Sequence, residues 1–281
     1  MMIAQAFVPV AVAETLHIEQ RGSAGGDPVV IIPGLFGSGF SFRKVIEPLA
    51  ESGHHVIVIE PLGTGFSGRP QKADYSLSAQ AARVAAALDS LHAPPAVVLA
   101  HSIGGAIAFR LAVLRPDLVR GIVSIEGGPT ETAVTSGFKS ALRYVPWIKW
   151  LGGVSLIRRK VRGMLVSSSG DPSWVTDGVV LSYTAGEARD VDRALTAFLA
   201  MGKAREPAPL APQLPRVRCP VALMVGTARH EGDVDPKEVM LLSRSLADFT
   251  VDSEAGAGHY LQEERPGAVV AAVERVAARS R

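Results

Sequence analysis

Short apolar runs alternate with helical patterns through the first 125 residues. The runs cover residues 29–32, 56–59, 97–100 and 121–125, and each is rich in valine, isoleucine or leucine. Continuous apolar runs of this length are typical of parallel strands that are buried on both faces. Strands that alternate with helices indicate a sheet covered by helices on both sides. The pattern therefore predicts an α/β protein with a mostly parallel, doubly wound sheet.

The strand pattern is interrupted once. Between residues 127 and 215 helical patterns replace the strand signals, and this part ends in a proline-rich stretch at 206–215. Strand signals return at 221–225 and 249–253. We therefore expect a core built from residues 1–126 and 216–281, and a helical cap with its return linker at 127–215.

Composition fits one globular core and excludes several classes of protein. The 281 residues are 47% hydrophobic with a formal net charge of +2, which gives material for one large core and no footprint of nucleic-acid binding. The single cysteine excludes an internal disulfide, and no clustered Cys or His pattern indicates a structural zinc site. No apolar run reaches the roughly 18 residues of a membrane span. Because no Lys or Arg precedes Arg21, we expect opening strands over 7–19 rather than a secretion signal, and a cytoplasmic location.

Residues 97–108, with the sequence VVLAHSIGGAIA, predict a strand, a sharp turn and a helix, with Ser102 at the apex of the turn. Such a turn lifts a serine out of the sheet and requires small residues two positions before and after it, here Ala100 and Gly104. Gly105 allows the helix to pack close to the strand. The pattern is typical of a nucleophile elbow, and the alternative is a serine in an ordinary strand-to-helix turn.

A glycine-rich loop with the sequence PGLFGSG follows the first buried run, at residues 33–39. Enzymes with a serine elbow build their oxyanion hole from one backbone N–H of this loop and one of the residue after the nucleophile. These donors would be Leu35 and Ile103. Taken alone, the loop fits a plain strand-to-helix turn equally well.

A second apolar strand leads into the turn-rich residues 60–70, and with the preceding motifs this resembles the α/β-hydrolase fold superfamily over nearly the whole chain. The chain order of that fold is serine, acid, histidine. The resemblance points to His259, in a glycine-flanked loop before a helix that begins at Pro266. The other histidines have weaker claims. We expect His101 to point into the packing of the elbow, and surface turns or strand edges for the rest, namely His17, His54, His55, His92 and His230.

Two candidates compete for the acid. Most serine members of the superfamily carry it after the strand that corresponds to 221–225, where this chain has Arg229 at the usual position and Asp233 beyond it. The motifs GIVSIEGGP and AGHYLQEERP instead resemble haloalkane dehalogenases and the Renilla-type luciferase, whose acid is a glutamate after the sixth strand. That resemblance implies Glu126, with Asp233 as the alternative.

The same resemblance limits the chemistry, since dehalogenases attack with an aspartate and hold the halide with a tryptophan and often an asparagine. This chain has Ser102, Ile103 and Leu35 at those positions. A serine alkylated by a halide or an epoxide would give an ether that water could not split, whereas an acyl-serine is hydrolysable. We therefore expect a serine hydrolase of esters, thioesters or lactones that needs no cofactor. The alternatives are a carbon–carbon bond hydrolase, an acyltransferase or perhydrolase, or a small-molecule receptor with little turnover.

The cap is distinctive in charge, because seven Lys or Arg and no Asp or Glu lie between residues 132 and 170. Phe36 in the glycine-rich loop, with Trp147 and Trp174 in the cap, are candidate substrate contacts. A cationic, aromatic cap could recruit an anionic or carrier-bound acyl substrate, or touch an anionic membrane surface. The alternative is a solvated outer face whose aromatic side chains close over an apolar pocket.

Overall fold

The computed structural model describes residues 4–132, 153–230 and 232–280. Within these residues one sheet has eight strands in the order β1-β2-β4-β3-β5-β6-β7-β8. The first two strands pair antiparallel, β2 pairs antiparallel with β4, and the remaining neighbours are parallel. The strands are β1 (Ala4–Ala11), β2 (Glu14–Arg21), β3 (Asp27–Ile32), β4 (His54–Ile59), β5 (Ala96–His101), β6 (Val119–Ile125), β7 (Val221–Gly226) and β8 (Phe249–Glu254).

Helices cover both faces of the sheet. They are α1 (Arg43–Glu51), α2 (Leu77–Ser90), α3 (Ile103–Leu114), α4 (Gly153–Ser167), α5 (Asp177–Tyr183), α6 (Ala185–Ala188), α7 (Val191–Lys203), α8 (Pro236–Ser245), α9 (Leu261–Glu264) and α10 (Pro266–Arg279). Short 3-10 turns lie at Gly39–Phe42, Pro172–Trp174 and Ala211–Arg216. Helices α2, α3 and α8 share one apolar cluster, whereas α1 and α10 share the cluster on the opposite face. The predicted doubly wound α/β fold is confirmed.

The strands alternate their side chains between the two clusters. In β3, Val30 and Ile32 belong to the cluster on the α2 and α3 side, and Val29 and Ile31 belong to the other. Successive side chains of a strand point to opposite faces, so a continuous apolar run buries both. This is why the interior strands read as unbroken valine, isoleucine and leucine.

Helices α4 to α7 lie between β6 and β7 in the chain, in the part where the sequence predicts a helical insertion. Helices α4 and α5 contribute a third apolar cluster that includes Tyr183 and also Tyr260, which lies outside the insertion. The chain then returns past Glu206, whose carboxylate accepts hydrogen bonds from the backbone N–H groups of Leu77 and Ser78 at the start of α2. The insertion is thus tied to the core through both apolar and polar contacts. No helix of the described residues is long and apolar enough to cross a membrane.

Candidate active site

Ser102 lies between β5 and α3 in a conformation that side chains rarely adopt. Its φ is 54° and its ψ is −121°. Such a backbone costs roughly 1–3 kcal/mol and persists only where the surroundings impose it. A Cβ added at Gly104 would lie 2.3 Å from the carbonyl oxygen of Ile32, and one at Gly105 would lie 2.3 Å from Ser124 Oγ. The tight approach of the helix to its neighbouring strands therefore requires glycine at both positions, as the sequence pattern predicts.

The glycine-rich loop after β3 runs beside the elbow. A Cβ at Gly34 would lie 3.3 Å from Ser102 Cβ. Leu35 is the next residue, and Ile103 begins α3, where the first N–H groups of a helix have no partner within the helix. In the described part of the chain, neither the Leu35 nor the Ile103 backbone N–H has a hydrogen-bond acceptor. Both donors are thus available next to the serine.

A buried carboxylate holds the glycine-rich loop in place. Glu60 is 0% exposed, and its two oxygens accept hydrogen bonds from the backbone N–H groups of Gly39 (3.1 Å) and Phe66 (2.6 Å). His17 Nδ1 lies 3.2 Å from the same carboxylate. Burial lowers the pKa of His17, but the contact with the Glu60 carboxylate outweighs burial and raises the pKa above its ordinary value. The sequence places Glu60 only in a turn-rich motif, because nothing in the local pattern indicates partners in the glycine-rich loop and in β2.

His259 lies in the loop after β8 and is fixed through its main chain. Its N–H donates to the carbonyl oxygen of Ser168 (2.7 Å), and its carbonyl oxygen lies 3.0 Å from His101 Nε2. The His101 and His259 rings meet edge to face, with centroids 4.7 Å apart. Burial, followed by the nearby His101 and His230 imidazoles, lowers the pKa of His259 well below its ordinary value. Its Nδ1 is buried and has no hydrogen-bond partner among the described residues.

Glu126 is the first residue after β6 and also has a positive φ, 47°. Its side chain is 1% exposed, and its Oε1 accepts a hydrogen bond of 2.5 Å from the Gly226 N–H at the end of β7. One carboxylate oxygen of Glu126 and one ring nitrogen each of His230 and His259 all lie within 4.8 Å of one another. Glu126 thus lies beside the imidazole of His259.

Asp233, the alternative acid, has a different neighbour. Its Oδ1 lies 2.9 Å from His230 Nε2 and accepts a hydrogen bond from the His230 N–H, while half of its side chain is exposed. His230 in turn lies between the two acids, since the same Nε2 is 3.6 Å from Glu126 Oε1.

The sequence predicts surface turns or strand edges for these histidines, but three of them have buried side chains. The His230 side chain is 1% exposed, and its Nε2 lies 3.6 Å from Glu126 Oε1. His17 is 4% exposed, since the rings of Phe7 and Phe66 pack beside it. His54 is also 4% exposed, and its Nε2 lies 2.9 Å from a carboxylate oxygen on α10. The expectation for His101 is confirmed, since it is buried against the elbow.

Known proteins share this arrangement of elements. A family model described as the alpha/beta hydrolase fold matches residues 27–149. "Uncharacterized hydrolase YugF" of Bacillus subtilis (strain 168) is 26% identical over 257 residues, 89% of this chain and 90% of that protein. The structure of haloalkane dehalogenase DbeA from Bradyrhizobium elkani superposes with a TM-score of 0.71 at 24% identity, covering 99% of this chain and 98% of that one. The chain has the α/β-hydrolase fold.

Several curated relatives of higher sequence identity align with only part of the chain. "Putative carbamate hydrolase RutD" of Variovorax paradoxus (strain S110) is 33% identical over 110 residues, which are 39% of this chain and 41% of that protein. The alignments with three of the more similar curated relatives span 36–41% of the length of those proteins.

Two of the predicted substrate contacts lie between the helical insertion and the core of the protein. The Phe36 ring packs against Phe198 of α7, with centroids 5.1 Å apart. Trp174 packs against Tyr260 at 5.5 Å, and Tyr260 packs edge to face against His259 at 5.2 Å. A chain of aromatic contacts therefore connects the insertion to the catalytic-histidine candidate. Trp147, the third predicted contact, lies outside the described residues.

The predicted cationic surface is only partly covered by the described residues. In α4, Arg159 and Lys160 are exposed, whereas Arg162 pairs with Asp177 on α5. Of the other four cations between residues 132 and 170, Arg158 is half-buried on α4, whereas Lys139, Arg143 and Lys149 lie outside the described part of the chain.

Proposed function

We propose that the protein is a serine hydrolase that cleaves a carboxylic ester, thioester or lactone through an acyl-enzyme. The observation that carries this proposal is the conformation of Ser102. A serine with φ of 54° at the end of a central parallel strand, beside two backbone N–H groups without acceptors, is strained for no structural benefit of its own. Strain of this kind is retained where it exposes a reacting atom.

In the proposed mechanism the Ser102 hydroxyl attacks the acyl carbon while His259 Nε2 takes its proton. The Leu35 and Ile103 N–H groups donate to the oxygen that becomes negative. The tetrahedral intermediate collapses, and the leaving group departs with the proton from His259. Water, activated by the same imidazole, then attacks the acyl-serine and releases the acid and free enzyme.

Glu126 is proposed to hold the His259 imidazole with its proton on Nδ1, so that Nε2 is free to act as the base. Its carboxylate lies within 4.8 Å of the His259 ring, and hydrogen bonds of this kind often shorten only when substrate binds. The lowered pKa of His259 keeps the imidazole neutral at pH 7, as a general base requires.

The choice of serine separates this proposal from the chemistry of the dehalogenase that shares the fold. An alkyl-serine ether would be a dead end, whereas an acyl-serine ester can be hydrolysed. The name of the Variovorax relative, a carbamate hydrolase, agrees with acyl chemistry. We further propose residues 127–215 as a cap that selects the substrate through Phe36, Trp174 and Trp147, with the exposed cations of α4 favouring an anionic or carrier-bound acyl group.

The test is hydrolysis of p-nitrophenyl esters over a series of acyl chain lengths. We expect multiple turnovers that Ser102→Ala lowers at least about a thousandfold and Glu126→Gln lowers about a hundredfold or more. Asp233→Asn serves as the matched control and should leave turnover little changed. A loss with Asp233→Asn but not with Glu126→Gln would reject Glu126 as the acid. Release of one equivalent of nitrophenol without further turnover would reject the hydrolase in favour of a receptor.

A further inference from the structure

Three side chains that can ligate a metal converge at the edge of the sheet where the parallel strands end. Glu126 follows β6, His230 lies in the loop after β7, and His259 lies in the loop after β8. One ligand atom from each lies within 4.8 Å of the other two. The side chains of Glu126 and His230 are each 1% exposed, so the group is not a surface collection of charges.

The chemistry of this donor set suits a transition-metal ion. Two imidazoles and one carboxylate are a common set for zinc, with bonds of about 2.0–2.2 Å. Two ligand atoms on one tetrahedral ion lie about 3.4 Å apart. The atoms here lie within 4.8 Å of one another, so an ion could bind if they move closer by about 1.5 Å or less. One carboxylate and two neutral imidazoles leave a net charge of +1 at a bound divalent ion. The half-exposed Asp233 can balance this charge, since its Oδ1 lies 2.9 Å from His230 Nε2.

One ring nitrogen of the group lacks a hydrogen bond among the described residues. His259 Nδ1 is buried and has no hydrogen-bond partner among the described residues, which is costly for a polar atom. The loop that carries His230 lies on this side of the ring, since a Cβ at Gly232 would lie 3.6 Å from His259 Nδ1.

We propose that Glu126, His230 and His259 form a binding site for a divalent transition-metal ion, with zinc as the reference ion, and that the ion switches the hydrolase off. The ion would bind His259 through Nδ1. On His230 it would bind Nε2, the ring nitrogen that lies 2.9 Å from Asp233 Oδ1. Ion binding needs only these side chains, whereas the effect on turnover rests on the proposed function.

The inhibition follows from the tautomers of imidazole. A neutral imidazole carries one proton, and a metal on Nδ1 places that proton on Nε2. Nε2 then has no lone pair for the Ser102 proton. The ion also occupies the Glu126 carboxylate that would otherwise orient the ring. The metal-bound and the catalytic forms of His259 therefore exclude each other.

Binding is tested first without turnover, by isothermal titration of zinc into the full-length Ser102→Ala variant, which keeps all three ligands. We expect one ion per chain, and an affinity that falls by more than about tenfold when His230→Gln is added. His92→Asn, at an exposed turn, is the matched control and should leave the affinity unchanged. Magnesium, which prefers oxygen ligands, should not compete. Equal zinc affinity with and without His230→Gln would overturn the site.

A second buried group must be separated from this one. His17, Glu19 and Glu60 also place ligand atoms within 4.8 Å of one another. Adding Glu19→Gln to the Ser102→Ala variant should leave zinc binding unchanged. Loss of the titration signal with Glu19→Gln would assign the ion to that other group and overturn the proposal.

The effect on turnover is then measured with the protein that retains Ser102. We expect zinc to inhibit ester hydrolysis and a chelator to restore it. The rates of each protein are normalised to its own zinc-free rate, and the inhibition constant of zinc should be more than about tenfold higher for His230→Gln than for the wild type. Zinc that binds the Ser102→Ala variant without inhibiting active protein would overturn the switch. A protein that binds zinc yet hydrolyses no ester would reject the proposed function and leave the binding site standing.

Discussion

Replacing Glu187 by glutamine tests how the helical insertion is joined to the core. Glu187 lies on α6 and is 1% exposed, and the same helix meets the loop after β4 so closely that a Cβ at Gly186 would lie 2.1 Å from the carbonyl oxygen of Gly65. Arg69 Nη2 lies 3.9 Å from the Glu187 carboxylate, too far for a hydrogen bond. Burial therefore outweighs the arginine and raises the pKa of Glu187 from 4.5 to about 7.

The direction of the pH effect follows from the proton count. Between pH 4.5 and about 7 the folded protein keeps a proton on Glu187 that the unfolded chain has released. Stability linked to this group is therefore greatest below pH 4.5 and falls as the pH rises toward 7. At about 1.4 kcal/mol per pH unit, the loss above pH 7 amounts to about 3 kcal/mol.

A glutamine side chain has nearly the same shape as glutamate, but it carries no charge whose burial would cost free energy. Glu187→Gln should therefore gain up to about 3 kcal/mol over the wild type at pH 8, and little at pH 4.5. The assay is urea unfolding of both proteins at the two pH values, with Glu51→Gln on the exposed end of α1 as the matched control. A glutamine variant that is less stable than the wild type at pH 8 would show that Glu187 is ionised and paired with Arg69, and would refute the reasoning.

Three further substitutions test contacts that shape the site, each by urea unfolding. Gly105→Ala places a Cβ 2.3 Å from Ser124 Oγ and should cost about 2 kcal/mol or more, together with most of the activity. Glu263→Gln removes the fully buried carboxylate that lies 2.5 Å from Arg43, and a loss of about 2–3 kcal/mol is expected. Glu206→Gln removes the charge that accepts from the first N–H groups of α2, at about 1–2 kcal/mol. A change below about 0.5 kcal/mol in any of them would contradict the corresponding contact.

The sheet and the elbow could be predicted from the sequence because their causes are local. An interior parallel strand is an unbroken apolar run, and β4 (His54–Ile59) departs from its predicted range, 56–59, by two residues at one end. The two added residues are histidines at the start of the strand. Because histidine is polar, they do not extend the apolar run from which the strand was predicted. The elbow was also predictable, since backbone crowding around Ser102 permits only small neighbours and leaves a pattern of glycines.

The surroundings of the catalytic candidates could not be predicted in the same way. His230 contacts Glu126, which lies 104 positions earlier in the chain, and Glu60 holds a loop 21 positions before it. Such contacts arise where the ends of parallel strands meet, and a pattern along one segment does not record them. The sequence likewise shows no clustered metal ligands, since the three that converge come from three different strand ends.

The position proposed for the acid accounts for the imidazole beside His259. In most serine members that this chain resembles, the acid follows the strand equivalent to β7, and it then occupies the space next to the catalytic histidine. With Glu126 proposed as the acid, the carboxylate enters that space from β6 and is held by the Gly226 N–H. The loop after β7 no longer has to supply an acid, and it brings His230 to within 3.6 Å of Glu126 instead. A carboxylate that faces two imidazoles can orient one of them as a base, or it can bind a metal ion together with both imidazoles. Relocation of the acid would thus be the structural origin of both the proposed triad and the proposed switch. Glu126→Gln should therefore weaken zinc binding as well as lower turnover.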